Sequence, residues 1–93
     1  MILGLMKIDL LAKSVHSLKE KRRIVSSIKE KLGNKFNISI IESDYQDVWQ
    51  TIQISIALLS GSKVIAGKIF DQCEEHIFAN YPVEILNIDT EYL

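Results

Sequence analysis

Apolar positions along this chain recur every second residue in four stretches and every three to four residues in two others, and the switches between the two periods mark out its elements. In residues 2–12, Met6, Ile8 and Leu10 alternate with Lys7 and Asp9, the pattern of a half-buried strand. Residues 13–16 form a short connection. Over residues 17–32, SLKEKRRIVSSIKEKL, the residues Leu18, Ile24, Val25, Ile28 and Leu32 fall on one arc at 100° per residue, with Lys21 on the same arc. This is an amphipathic helix.

That helix carries its own start signal. Ser17 followed by Glu20 is a capping box, the hydroxyl accepting an orphan backbone N–H while the carboxylate reaches back to the cap's own N–H. Substituting Ser17 by Ala is expected to cost about 1 kcal/mol. Gly33 is the expected left-handed residue that closes the helix, and Asn34 continues the turn.

Alternation resumes over residues 36–44, with Phe36, Ile38 and Ile40 on one side and Asn37 and Ser39 on the other. Glu42 and Asp44 continue the inward parity. A turn over 43–47 leads into residues 48–60, where Val48, Ile52, Ile54, Ile56 and Leu58 alternate with Trp49, Thr51, Gln53 and Ser55, completing a hairpin. Ser62 is placed to cap a second helix, 63–80, whose apolar arc is Ile65, Ala66, Ile69, Phe70, Cys73 and Ile77. Pro82 stops it. A last strand over 83–92 turns Leu86 and Ile88 inward and Asn87, Asp89 and Glu91 outward.

The order strand, helix, strand, strand, helix, strand predicts an α+β sandwich. With right-handed crossovers it is the ferredoxin-like arrangement: a four-stranded antiparallel sheet of order 4-1-3-2 with two helices on one face. A swapped or differently ordered α+β sandwich is the structural alternative. Residues 1–93 are read as a single domain without linkers or repeats.

Net charge changes this picture little, but its distribution does. Residues 1–35 hold nine lysines and arginines against three acids, +6, and residues 36–93 hold two against nine, −7. Either the first part offers a basic surface to nucleic acid or an acidic partner, or the two parts neutralise each other on folding. The sequence pI near 6.1 favours the second. The apolar opening is interrupted by Lys7 and Asp9 and lacks the flanks of a signal peptide, and no run approaches a membrane span. One cysteine, Cys73, makes an internal disulfide impossible and fits a reducing cytoplasm.

The predicted topology brings the start of the first helix near Glu42, Asp44, Asp47 and Gln50, and the end of the second helix, with His76 and Asn80, to the same place. Lys21, turned inward, needs a partner, and Lys21, Glu42, Asp44 and Gln50 are expected to form a structural polar cluster. The catalytic alternative is a pocket of Lys21, Glu42, Asp44 and His76. No nucleophile with an orienting base, glycine-rich phosphate loop or spaced metal ligands accompanies it. His16 and His76 read as turn or edge residues, and Cys73 as a core residue.

The uncovered sheet face is expected to show Trp49, Leu3, Leu5, Leu11, Ile41 and Ile85, an apolar patch for a partner or a second copy of the chain. With Trp49 its only aromatic, and with Asp9, Asp89 and Glu91 on it, that face makes a poor RNA platform.

Two motifs together, SLKEKR at 17–22 and Glu42-x-Asp44-x-Gln46-Asp47-x-Trp49-Gln50, resemble the YlxP-like family of small bacterial proteins, a domain of unknown function. The likeness extends to the terminal Asp89-x-Glu91-x-Leu93. It implies a ferredoxin-like fold, a bacterial cytosolic setting and a link to RNA metabolism or ribosome maturation, with no activity or cofactor to carry over.

These readings combine into an expected non-enzymatic, cytoplasmic accessory protein that meets RNA, ribosomal RNA or a ribosomal subunit, through the outward face of the first helix. Lys19, Arg22 and Arg23 are the expected phosphate contacts, with Lys13 and Lys29 at the margins. The alternative is a homodimeric or protein-binding module using the sheet face around Trp49. No DNA, membrane, cofactor or metal partner is expected.

Overall fold

A computed structural model describes residues 1–93. Its elements are β1 (Ile2–Leu11), α1 (Leu18–Lys35), β2 (Ser39–Asp44), β3 (Thr51–Ser60), α2 (Lys63–Asn80) and β4 (Glu84–Tyr92). β1 pairs antiparallel with β3 on one side and β4 on the other, and β2 adds to β3, giving the order β2-β3-β1-β4. This is the expected ferredoxin-like sheet, read from the opposite edge.

The period-2 pattern of the central strands sets the core. Met6, Ile8 and Leu10 of β1 lie opposite Ile56, Ile54 and Ile52 of β3, and all six are buried against Val25, Ile28 and Leu32 of α1 and Ala66, Phe70, Cys73 and Ile77 of α2. Gly4 completes the row. A Cβ there would stand 2.9 Å from Phe70 Cε2, so the missing side chain is what lets α2 seat its ring on the strand. Ile65, expected on this arc, is 53% exposed.

Both helices begin as the sequence predicts. Ser17 Oγ accepts the Glu20 N–H at 3.2 Å and Ser62 Oγ the Ile65 N–H, but the Glu20 carboxylate reaches one residue past the cap, accepting the His16 N–H and not that of Ser17. The end of α1 differs. Gly33 does not close it: the helix runs to Lys35, no glycine has positive φ, and the Phe36 N–H still donates to Leu32 O at 2.9 Å. Buried Leu32 and half-buried Phe36, one turn apart, hold the extra turn on the core, which outweighs the ~1 kcal/mol penalty of a helical glycine.

Two irregularities in strand pairing overturn parts of the face assignment. Glu42 pairs with Ile54 but Asp44 with Gln53, so Ser43 is the extra residue of a bulge. Likewise Ile85 pairs with Leu10 and Asn87 with Asp9, leaving Leu86 unpaired. One additional residue reverses the parity beyond it. Asp44 therefore leaves the inward face, Ile85 turns onto the core, and Leu86 turns out to solvent. β2 and β3 are also shorter than expected at one end each, because residues 36–38 and 48–50 are not strand.

Candidate functional site

Lys21 opens the buried arc of α1, in its first turn, and is wholly enclosed, the only buried charged residue. Its ammonium donates to the backbone carbonyls of Tyr45 and Val48, the latter at 2.6 Å, and lies 2.9 Å from Glu42 Oε2. Two carbonyls and a carboxylate around three N–H donors meet the demand of a buried lysine. The expected Lys21–Glu42 pair is present. Asp44 is not part of it: its carboxylate accepts the Tyr45 N–H at 2.8 Å on the exposed side. Gln50 serves a neighbouring purpose, its amide donating to the carbonyls of Lys13 and Val15 and tying the β1–α1 connection to the start of β3.

The result is an ordered loop over residues 45–50, packed against the first turns of α1. Tyr45 has φ +63°, a conformation that costs a bulky residue about 1–2 kcal/mol. The Lys21 contact, the Asp44 bond and a Val48 N–H to Tyr45 O bond of 3.0 Å hold it there. Tyr45, Val48 and Trp49 stand out at 39%, 45% and 48% exposure. Trp49 thus belongs to this loop and not to the sheet face.

His76 and Asn80 do not reach this end. The Tyr81 hydroxyl, just past α2, meets Ser27 Oγ at 2.9 Å, halfway along α1, so the two helices are offset. His76 consequently faces the later half of α1. Burial first, then the charges of Lys35 and Lys31, hold its pKa below the ordinary imidazole value. Burial likewise pushes the Cys73 thiol up to about 11, against a smaller opposing effect of Lys35, as befits an inert core residue.

On the outside of α1, Lys19, Arg22, Arg23 and Lys31 surround a shallow depression with Ser26, Ser27 and Glu30. Arg22 and Lys29 also flank a groove between α1 and Ile40 of edge strand β2. The structure holds two ion pairs, Lys21–Glu42 and the exposed Lys13–Glu84 at 3.3 Å. Each joins a cation of residues 1–35 to an acid of residues 36–93, so the two parts neutralise each other at these two contacts, while Lys19, Arg22, Arg23, Lys29 and Lys31 pair with no carboxylate. Lys31 is the member of this face that sequence reasoning left out, although it follows from the same 100° step.

The open sheet face is divided. Ser55 donates to Ser43 at 2.6 Å, Ser43 to Gln53 Oε1 and Gln53 to Asp9, both at 2.9 Å, a polar string across three strands. Leu5, Ile41 and Ala57 line a hollow of ≈ 430 Å³ on the other part, bordered by Lys7, Asp89 and Glu91, and Leu3, paired with Leu59, continues the apolar surface beyond it. Leu11 lies beyond the Asp9 row, beside Thr51 and Glu84. Of the six residues expected to form one patch, then, Leu3, Leu5 and Ile41 do. No group of three or more histidine, cysteine or acidic side chains is gathered as metal ligands would be, and no helix is long and apolar enough to cross a membrane.

A four-stranded ferredoxin-like sandwich with a lysine-anchored loop at one end defines the class. Residues 3–90 match the family described as "Protein of unknown function (DUF503)", and the chain belongs to that family. The "Uncharacterized protein YlxP" of Bacillus subtilis (strain 168) is 40% identical over 63 residues, 68% of each chain. Among solved structures, the de novo designed protein Foldit4 superposes with TM-score 0.56 at 9% identity, covering all of this chain and 97% of its own. The designed LFR1 1 with ferredoxin fold gives 0.56 at 16% identity, covering all of this chain and 84% of its own. These designs share the fold alone.

Proposed function

We propose that this protein is a non-enzymatic, cytoplasmic RNA-associated accessory protein that contacts phosphates, of ribosomal RNA or a ribosomal subunit, with the outer face of α1. The observation that carries this reading is the set of unpaired cations Lys19, Arg22, Arg23, Lys29 and Lys31 along one helix of a chain whose net charge is −1. Folding leaves them free for an external polyanion. Lys13, engaged with Glu84 while three-quarters exposed, is a marginal contributor. Full occupation of the Lys21 ammonium by loop carbonyls and Glu42 supports a binding role over a catalytic one.

The test is the salt dependence of binding to purified ribosomal RNA and subunits, with Arg22→Glu/Arg23→Glu alongside. Binding is expected to weaken linearly in log–log form with salt, by a slope of roughly −0.7 to −0.9 per phosphate contacted, and to vanish in the variant. Absence of binding at low salt, or unchanged affinity of the variant, would exclude this face.

A second reading rests on the hollow of the sheet face. Leu5, Ile41 and Ala57 in it, with Leu3 and Leu59 beside it, offer apolar area, and Lys7 opposite Asp89 on the same face supplies both signs of charge, as a self-complementary twofold contact requires. This reading predicts a homodimer that Leu5→Asp dissociates. A monomer throughout a concentration series in analytical ultracentrifugation would remove it.

A further inference from the structure

We propose that the loop joining β2 to β3 is a base-stacking site for single-stranded RNA, in which Trp49 and Tyr45 receive bases while Arg22, next to the anchoring lysine, holds phosphate. This rests on the RNA reading of α1 and goes further, naming the strand state and the residues that recognise it.

Exposure of the loop side chains is the first observation. Residues 45–50 contribute nothing to the core, yet Tyr45, Val48 and Trp49 are all large, apolar and between 39% and 48% exposed. A loop with no packing duty is ordinarily polar. The second observation is how the loop is held. A fully buried lysine is committed to two of its carbonyls, and the strained Tyr45 backbone is fixed from three directions. An ordered aromatic surface loses little entropy when a ring stacks on it.

The same anchor sets what lies beside the loop. Because Lys21 holds it, the loop abuts the turn of α1 that carries Lys19, Arg22 and Arg23, and Arg22 with Lys29 continues along the groove next to β2. Stacking surfaces next to a cationic track are the chemistry that binds single strands. A duplex keeps its base faces covered and engages the cations alone. Asp44 at the end of β2 and Asp47 in the loop repel phosphate, so the backbone runs on the α1 side and the bases turn toward the rings.

Trp49 is the chain's one tryptophan, so its fluorescence reports this loop alone. The probe is an oligouridine of about 12 nucleotides, within the footprint of small single-strand binders. Anisotropy of the labelled oligomer gives affinity independently, and a duplex RNA of the same length is the comparison. The expected result is saturable quenching of Trp49 at the anisotropy midpoint, absent with the duplex. Trp49→Leu and Tyr45→Leu, neither a core residue, should each weaken single-strand binding by about 5- to 100-fold while leaving the urea midpoint of the domain in place.

Binding without quenching, and unaffected by Trp49→Leu, would overturn the stacking site while leaving the α1 surface standing. Failure of every RNA to bind would end both readings together. A Trp49 emission shift that follows protein concentration without RNA would make the loop a contact between copies and overturn the proposal.

Discussion

The Lys21 ammonium lies 2.9 Å from Glu42 Oε2, joining the buried face of α1 to the edge strand while the same nitrogen holds the carbonyls of Tyr45 and Val48. A buried lysine with one partner would be a net cost; with three acceptors it fixes a loop. Lys21→Met keeps much of the volume and removes the charge, leaving Glu42 and two carbonyls unmatched. The expected loss is about 3 kcal/mol, measured by urea unfolding. Glu42→Gln retains an acceptor and is expected to lose only about 1 kcal/mol. An unchanged urea midpoint for Lys21→Met would show that the loop holds itself.

Gly4 and Phe70 form a second dependent pair. Alanine at position 4 places a methyl 2.9 Å from one ring carbon and 3.0 Å from the next, so the buried ring must shift to admit it. Gly4→Ala is expected to destabilise by about 1–3 kcal/mol. Phe70→Leu alone removes core contact, yet combined with Gly4→Ala it should recover part of the first loss, giving a non-additive double-mutant cycle. Strict additivity in that cycle would show that the clash is relieved elsewhere.

His76 makes stability depend on pH. Burial, then Lys35 and Lys31, disfavour its protonated form in the folded state, and its Nε2 is enclosed without a hydrogen-bond partner. Above the ordinary imidazole pKa of about 6.5 the stability is fully present. As pH falls through that value, the unfolded chain binds a proton that the folded one resists, and stability declines until the lower folded pKa is passed. His76→Gln should flatten the fall of the urea midpoint between about pH 7 and 5.5. Equal slopes in the two proteins would assign the decline to other groups.

Local periodicity was enough for the six elements, because each signal is short-ranged. Alternation along β1 and β3 and the 100° arc of α1 name the residues that the core uses, and Ser17–Glu20 and Ser62 mark helix starts through contacts within four residues. The inward lysine was legible for the same reason. Its position on the arc at residue 21 follows from counting, and a buried charge demands an acceptor that Glu42 supplies.

Only the tertiary structure decided the rest, since each remaining feature depends on a partner far along the chain. Extra residues at Ser43 and Leu86 reverse the faces of Asp44 and Ile85, and a bulge is a property of two paired strands. Packing of Leu32 and Phe36 carried α1 past Gly33, and the offset of the helices, fixed where Tyr81 meets Ser27, drew His76 away from Lys21. Backbone carbonyls carry no sequence signature. That Tyr45 and Val48 would take the lysine, and thereby move Trp49 from the sheet into an ordered exposed loop, is a long-range choice made by the folded chain.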